Sequence, residues 1–388
     1  MTQQASVVVP LFDPVRRVVR VSTDGDDSLD RLLSSSTKGA YQRDFSRERV
    51  GWLARAAAHH IEHCPPYARL AAASGFHPST LDGTADLARI PLLPSSMFKK
   101  KTVVSSCTGD VLVCRSSGTG GTVSRVHRDE PTMERFIASL LHGSAEFYER
   151  HEGRRGFVLG PHTDEAETLW FSYVLGLLDL SFDTDFFVRD ETFRCRELAE
   201  ALANLGADVQ PLIIGPPRLI LELCRWLIAR GERLDLSRRS GLVVTAGGWK
   251  SHLAHAISRE ELTALVTDAL GVAPDAVRDA FNMVELNSVL FECEHRRKHV
   301  PPWLEVIVRN PSDMSCAAPG EEGVLTYLDP SPTSYPGFVF SDDLGRLSSD
   351  SCECGRFGRT LALSRRLTKV EERGCALKLD RYTQGENQ

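Results

Sequence analysis

Between Asp44 and about Gly75 the apolar residues recur at helical spacing. The run RERVGWLARAAAHHIEHC (47–64) predicts one helix, and YARLAAASG (67–75) a second that stops at its glycine. IPLLPSSMFKKK (90–101) is broken by prolines and predicts no single regular element. The middle of the chain alternates. DVLVC, RRGFVLG, VQPLIIG and GLVVTAG read as short strands, each followed by turn residues. Helix-like runs come between them, such as PPRLILELCRWLIARG and SHLAHAISREELTALVTDALG. Strand-then-helix repetition predicts an α/β fold with a largely parallel sheet. From 303 onward WLEVIVRN, EGVLTYLD and GFVFSDDLGRL are strand-like with no helices between them, which predicts a β subdomain. The divisions expected are a loosely held extension over 1–40, a helical segment over 41–110, an α/β core over 111–300, and a β subdomain with tail over 301–388.

Composition leaves this picture standing. The 388 residues are 42% hydrophobic and 25% charged, with a net charge of -6. That is ordinary globular usage. No Lys/Arg block is long enough for a nucleic-acid footprint. The longest apolar stretch, LWFSYVLGLLDLSF (169–182), is interrupted by Asp179 and predicts a buried helix rather than a membrane span. The N-terminus lacks the basic and apolar regions of a signal peptide. Ten scattered cysteines suit a reduced, cytoplasmic protein.

Four stretches carry candidate chemistry. SSGTGGT (116–122) offers the hydroxyls of Ser116, Ser117 and Thr119, and Gly118, Gly120 and Gly121 admit close backbone approach. Successive N–H groups in such a turn form an anion-binding concavity; a plain surface loop is the other reading. VVTAGGWK (243–250) puts Gly247 and Gly248 at a strand end, the edge where open α/β sheets bind ligands. DAFNMVELNS (279–288) sets Phe281 four positions before Glu285, and FVFSDDLGRL (338–347) pairs Asp342 with Asp343. Adenine needs a flat apolar partner, ribose a carboxylate, and a triphosphate a carboxylate-held magnesium ion.

In their order these four stretches resemble the adenylate-forming superfamily of acyl-CoA synthetases and adenylation domains. The closer likeness is to its LuxE-type acyl-protein synthetase branch, related to phenylacetate–CoA ligases. It runs from HCPPYARL through IPLLPSSMFK to RGCALKLD. The resemblance implies an adenylate-forming large domain without the full small C-terminal domain. It implies that Ser116 to Gly121 cradle the phosphates of ATP, that Gly247 and Gly248 line the adenine and acyl pockets, and that Phe281 stacks on adenine. Glu285 would hold magnesium, Asp343 would grip the ribose, and Arg366 would stand at the hinge. Three positions depart from the family pattern. Gly120 and Val284 each stand in place of a threonine, and Ser364-Arg365-Arg366 lacks the expected glycine. The reaction implied is activation of a small carboxylic acid as acyl-AMP, then transfer to a thiol. The acceptor is Cys375, coenzyme A, or an acyl-carrier or other acyl-accepting protein. A free-standing CoA or amide-forming ligase, and a non-catalytic binding protein with a degenerate site, are the rival readings.

Cysteines enter twice more. Cys375, in EERGCALKLD, is an acyl acceptor by the resemblance; Arg373 and Lys378 would lower its pKa. The bland reading is a cysteine in a short terminal strand. CEHRRKH (293–299) and CEC (352–354) supply Cys293, His299, Cys352 and Cys354, the two N/S pairs that a closed zinc site needs, with His295 a competitor of His299. Four unmetallated residues in loops are the alternative. His162, Trp170, Phe171 and Tyr173 are acyl-pocket candidates that read equally as surface and core.

Overall fold

The computed structural model describes residues 28–34, 40–117, 123–148, 153–166, 168–249 and 256–366. Its frame is a twelve-stranded mixed sheet. The parallel part runs Asp183–Phe186, Arg154–Val158, Gln210–Gly215, Leu242–Ala246 and Val277–Phe281 in spatial order. Its middle strands are near-continuous apolar runs because helices cover both faces. Helix Pro217–Ala229 starts on a proline, where the missing N–H costs nothing, and buries Leu219, Ile220, Leu223, Cys224 and Leu227 against Ile213 and Val243. Helix Arg259–Leu270 opens with a reciprocal Ser258–Glu261 capping box and stops at Gly271, whose φ of 68° only glycine adopts without cost.

Beyond Val277–Phe281 every step is antiparallel: Leu290–Glu292, Lys298–His299, Thr360–Arg366, Gly337–Ser348, Gly323–Asp329 and Glu305–Arg309. The change of pattern thus begins before residue 303. Within the antiparallel part, Lys298–His299 and Thr360–Arg366 meet at a narrow joint of two ladder pairs, at Leu361 and Thr360.

The helix expected over 47–64 forms as Ser46–His63, and the glycine-stopped one as Pro65–Ala73 with Gly75 at φ 63°. They dock on the C-terminal strands. Arg49 pairs with Glu305 at 2.9 Å and donates to the Pro302 carbonyl at 2.8 Å. Leu93–Pro94, from the proline-broken stretch, adds a parallel strand beside Val339 and Phe340 before a short helix, Met97–Lys100.

Two expectations need correction. DVLVC is no part of the large sheet; Leu112–Arg115 forms a separate hairpin with Arg125–Arg128. The run 251–271 is helical only from Arg259, and 251–255 lie outside the described residues. Helix Glu130–Phe147 has no counterpart in the sequence reading. Asp129 caps it by accepting from Thr132 N–H at 3.1 Å, with a proline in its first turn. Its Gly143 meets the Phe291 ring so closely that no side chain fits there. Within the expected extension 1–40, helix Ser28–Ser34 is docked. Leu29 and Leu33 are buried, and Asp30 takes two bonds from Arg135, at 2.7 and 2.8 Å. Residues 1–27 and 35–39 lie outside the described residues.

Candidate active site

Parallel strands present their carboxyl ends on one edge, where Gly247, Gly248 and Phe281 stand. Ala246 and Ala280 are ladder partners, so Gly247 and Phe281 follow side by side. Gly247 and Gly248 turn the chain at φ 77° and 62°. A Cβ on Gly247 would fall 2.4 Å from the Phe171 ring. Glycine therefore lets an aromatic wall close on the edge. Gly247→Ala should cost about 1–3 kcal/mol through overpacking, seen as a lower urea midpoint. Phe281 is half-buried and stacks on Tyr327, centroids 6.1 Å apart.

The Leu112–Arg115/Arg125–Arg128 hairpin brackets the glycine-rich stretch in the chain. Ser116 and Ser124 close the loop: Ser116 N–H donates to the Ser124 carbonyl at 3.1 Å, and Ser124 N–H to Ser116 Oγ at 3.0 Å. Arg115 ties the hairpin to Thr168 through its backbone N–H at 2.7 Å and its Nε at 2.6 Å. Ser117 is exposed, while Gly118, Thr119, Gly120 and Gly121 lie outside the described residues.

Glu285 is buried, 5% exposed, and no ion pair is made to it among the described residues. Burial pushes its carboxyl up from the usual range; the Ser124 hydroxyl and the Lys99 ammonium pull it down more weakly. A buried carboxylate beside the Ser116–Ser124 closure fits a divalent cation. Asp343 is buried on the long strand Gly337–Ser348, where its N–H donates to Ser341 Oγ at 3.1 Å. Arg366 is its ladder partner on the next strand. Asp342 faces the proline-broken segment, accepting from Ser95 at 3.0 Å with Lys99 at 3.8 Å.

A second constellation sits at the narrow joint of the sheet. One ligand atom from each of Cys293, His299, Cys352 and Cys354 lies within 4.8 Å of all the others. The sulfurs of Cys293 and Cys352 are 3.6 Å apart, and Cys354 Sγ is 3.3 Å from His299 Nε2. A disulfide needs about 2.05 Å. Zinc–sulfur bonds of about 2.3 Å set at the tetrahedral angle give an edge of about 3.8 Å, so the donor set fits zinc. Burial, helped by Arg356, pushes His299 down to about 4, which leaves it the neutral imidazole that a metal binds. Burial raises the Cys293 thiol, so its thiolate needs a neighbouring cation. His295, the competitor, turns away to Glu353 at 3.4 Å.

The remaining candidates divide. Trp170 is buried and donates to Asn282 Oδ1 at 2.6 Å, Tyr173 is core, and Phe171 is half-buried against Gly247. His162 is half-buried and lies 3.2 Å from Asp164. Cys375 lies outside the described residues. Sequence reasoning missed Ser124, Lys99, Arg128, Asn282 and Asn287. The two asparagines stand in FNMVELNS and the arginine in SRVHRD, each beside a motif already singled out.

A glycine pair at the carboxyl end of one parallel strand and a buried acid in the loop after the next suit an adenylate-forming ligase, an enzyme that joins a carboxylic acid to an acceptor through acyl-AMP at the expense of ATP. The fold agrees. The open conformation of 2-hydroxyisobutyryl-CoA ligase, solved in complex with 2-HIB-AMP and CoA, superposes with a TM-score of 0.66 at 16% identity, covering 83% of this chain and 69% of that one. The family described as acyl-protein synthetase, LuxE, matches residues 23–383, and the chain belongs to it. Two relatives, each named long-chain-fatty-acid–luciferin-component ligase, come from Aliivibrio fischeri and Vibrio harveyi. The first is 31% identical over 77% of this chain and 80% of its own length, the second 32% over 78% and 80%. Membership of this family sets aside the non-catalytic reading. No helix among the described residues is long and apolar enough to cross a membrane.

Proposed function

We propose that this chain activates a long-chain fatty acid and carries the acyl group on its own Cys375. The observation that supports the activation site is the buried Glu285, without an ion pair among the described residues, set against the Ser116–Ser124 closure. The fatty-acid class follows the names of the two relatives. The acid's carboxylate attacks the α-phosphorus of ATP, the bond to pyrophosphate breaks, and acyl-AMP forms. Ser116 to Gly121 hold the phosphates, Phe281 and Gly247 with Gly248 frame the adenine, and Asp343 accepts from the ribose. Magnesium bound at Glu285 would neutralise phosphate charge as pyrophosphate leaves. Arg366, across from Asp343, serves the hinge. The Cys375 thiolate then attacks the acyl carbonyl and AMP departs, leaving a thioester ready for a downstream acyl-accepting protein. The cysteine–histidine cluster holds one structural zinc.

With ATP and a fatty acid, wild-type protein should gain a hydroxylamine-labile acyl group. Cys375→Ser should remove that label and leave ATP–pyrophosphate exchange nearly unchanged, because activation precedes transfer. Full exchange with no protein label and rapid acyl transfer to coenzyme A would replace Cys375 by the free thiol. Silence in exchange across a panel of acids would reject the fatty-acid assignment.

A further inference from the structure

Arg128 is fully buried, and no carboxylate lies within ion-pairing distance of it among the described residues. Such a cation is costly unless its surroundings are polar and fixed. Here the surroundings are mostly one loop. Nη2 donates to the carbonyls of Val284 at 2.7 Å and Leu286 at 3.3 Å, and to the Tyr335 hydroxyl at 3.2 Å. Nε donates to Asn287 Oδ1 at 3.3 Å. The guanidinium carbon lies 3.7 Å from the centroid of the Trp170 ring, whose face favours a cation. Asn287 links Arg128 to the buried Asp329, to which its backbone N–H donates at 3.1 Å. On the other side of the loop, Asn282 Nδ2 donates to Leu286 O at 3.0 Å and Ser288 O at 2.9 Å.

The two carbonyls that Arg128 holds flank Glu285. Arg128 also ends the strand that returns from the glycine-rich loop. One side chain therefore fastens the acid's backbone to the phosphate-loop hairpin. We propose that Arg128, with Asn282 opposite, is a positioning residue for activation: it clamps the 282–288 loop so that Glu285 meets the divalent cation and the phosphates in one fixed geometry. This rests on the assignment of Glu285 to magnesium. Preorganisation of this kind matters because the donor must not reorganise as charge moves.

The test uses the full chain and Mn2+ as probe. Electron paramagnetic resonance reads Mn2+ retained with a non-hydrolysable ATP analogue, alongside pyrophosphate exchange. Arg128→Lys keeps the charge but loses the planar group whose Nη2 holds the Val284 and Leu286 carbonyls while its Nε holds Asn287. It should retain Mn2+ about tenfold more weakly and slow exchange. Combined with Glu285→Gln it should be no worse than Glu285→Gln alone, because both changes remove one function. Wild-type Mn2+ retention in Arg128→Lys, or defects that multiply, would overturn the clamp. If circular dichroism shows Arg128→Lys unfolded, half-buried Asn282→Ala decides: weaker Mn2+ retention upholds the clamp, and unchanged retention refutes it. Full retention in Glu285→Gln itself would instead remove the magnesium assignment beneath the proposal.

Discussion

Glu285→Gln should lower pyrophosphate exchange about a hundredfold, roughly 2.7 kcal/mol of lost transition-state stabilisation. The amide keeps the shape but cannot carry the charge that a divalent cation needs. The same substitution should stabilise the metal-free protein. Burial raises the folded-state pKa of this carboxyl above its unfolded value. The stabilising contribution of the proton is therefore full below the unfolded pKa and is lost as pH rises through the folded one. At neutral pH the bare carboxylate is a penalty that glutamine does not carry. Without metal, Tm should rise by a few degrees in Glu285→Gln, and magnesium with ATP should narrow the gap by stabilising only the wild type. Wild-type exchange in a folded variant would remove Glu285 from the site.

The second large effect is expected at the cluster. Protein purified without added metal should contain about one zinc per chain. Cys352→Ser should lose it and lower Tm by about 10 °C or more, because the remaining donors would sit buried without their cation. The consequence is amplified by position. The cluster lies at the joint where Lys298 and His299 pair with Leu361 and Thr360. Stable, zinc-free wild-type protein would contradict the assignment.

Much of this architecture was legible because the period of the chain is a local property. VQPLIIG and GLVVTAG announce buried strands, and RERVGWLARAAAHHIEHC a one-sided helix, whatever lies around them. The order of four motifs named the family. Pairing, in contrast, is decided at long range. DVLVC has strand character, yet nothing in it says that its partner is Arg125–Arg128 and not the large sheet. Helix Glu130–Phe147 carries a cap, a proline and apolar spacing, and went unread beside the loop before it. The metal ligands were legible as residue types, while their meeting depends on a fold that brings Cys352 to Cys293 across 59 positions. Arg128 was the hardest. A lone arginine usually reads as surface, and only the structure shows it sealed beneath Val284 and Leu286.

The pairing of Leu93–Pro94 with Val339 and Phe340 has a consequence for the growing chain. Helices Ser46–His63 and Pro65–Ala73 rest on strands that leave the ribosome much later, since Arg49 waits for Glu305 and Ser95 for the Phe340 carbonyl. At about 5–20 residues per second the interval from Leu93 to Val339 lasts about 12 to 50 s. Through that time the apolar faces of Ser46–His63 and Pro65–Ala73 lack their cover, although the parallel strands and their helices are already made. Nascent chains stalled before residue 340 should therefore hold the central α/β layers protease-resistant, with the first hundred residues cleavable and bound by chaperones. Emergence of Val339 and Phe340 would then lock these helices and Leu93–Pro94 onto the later strands in one step.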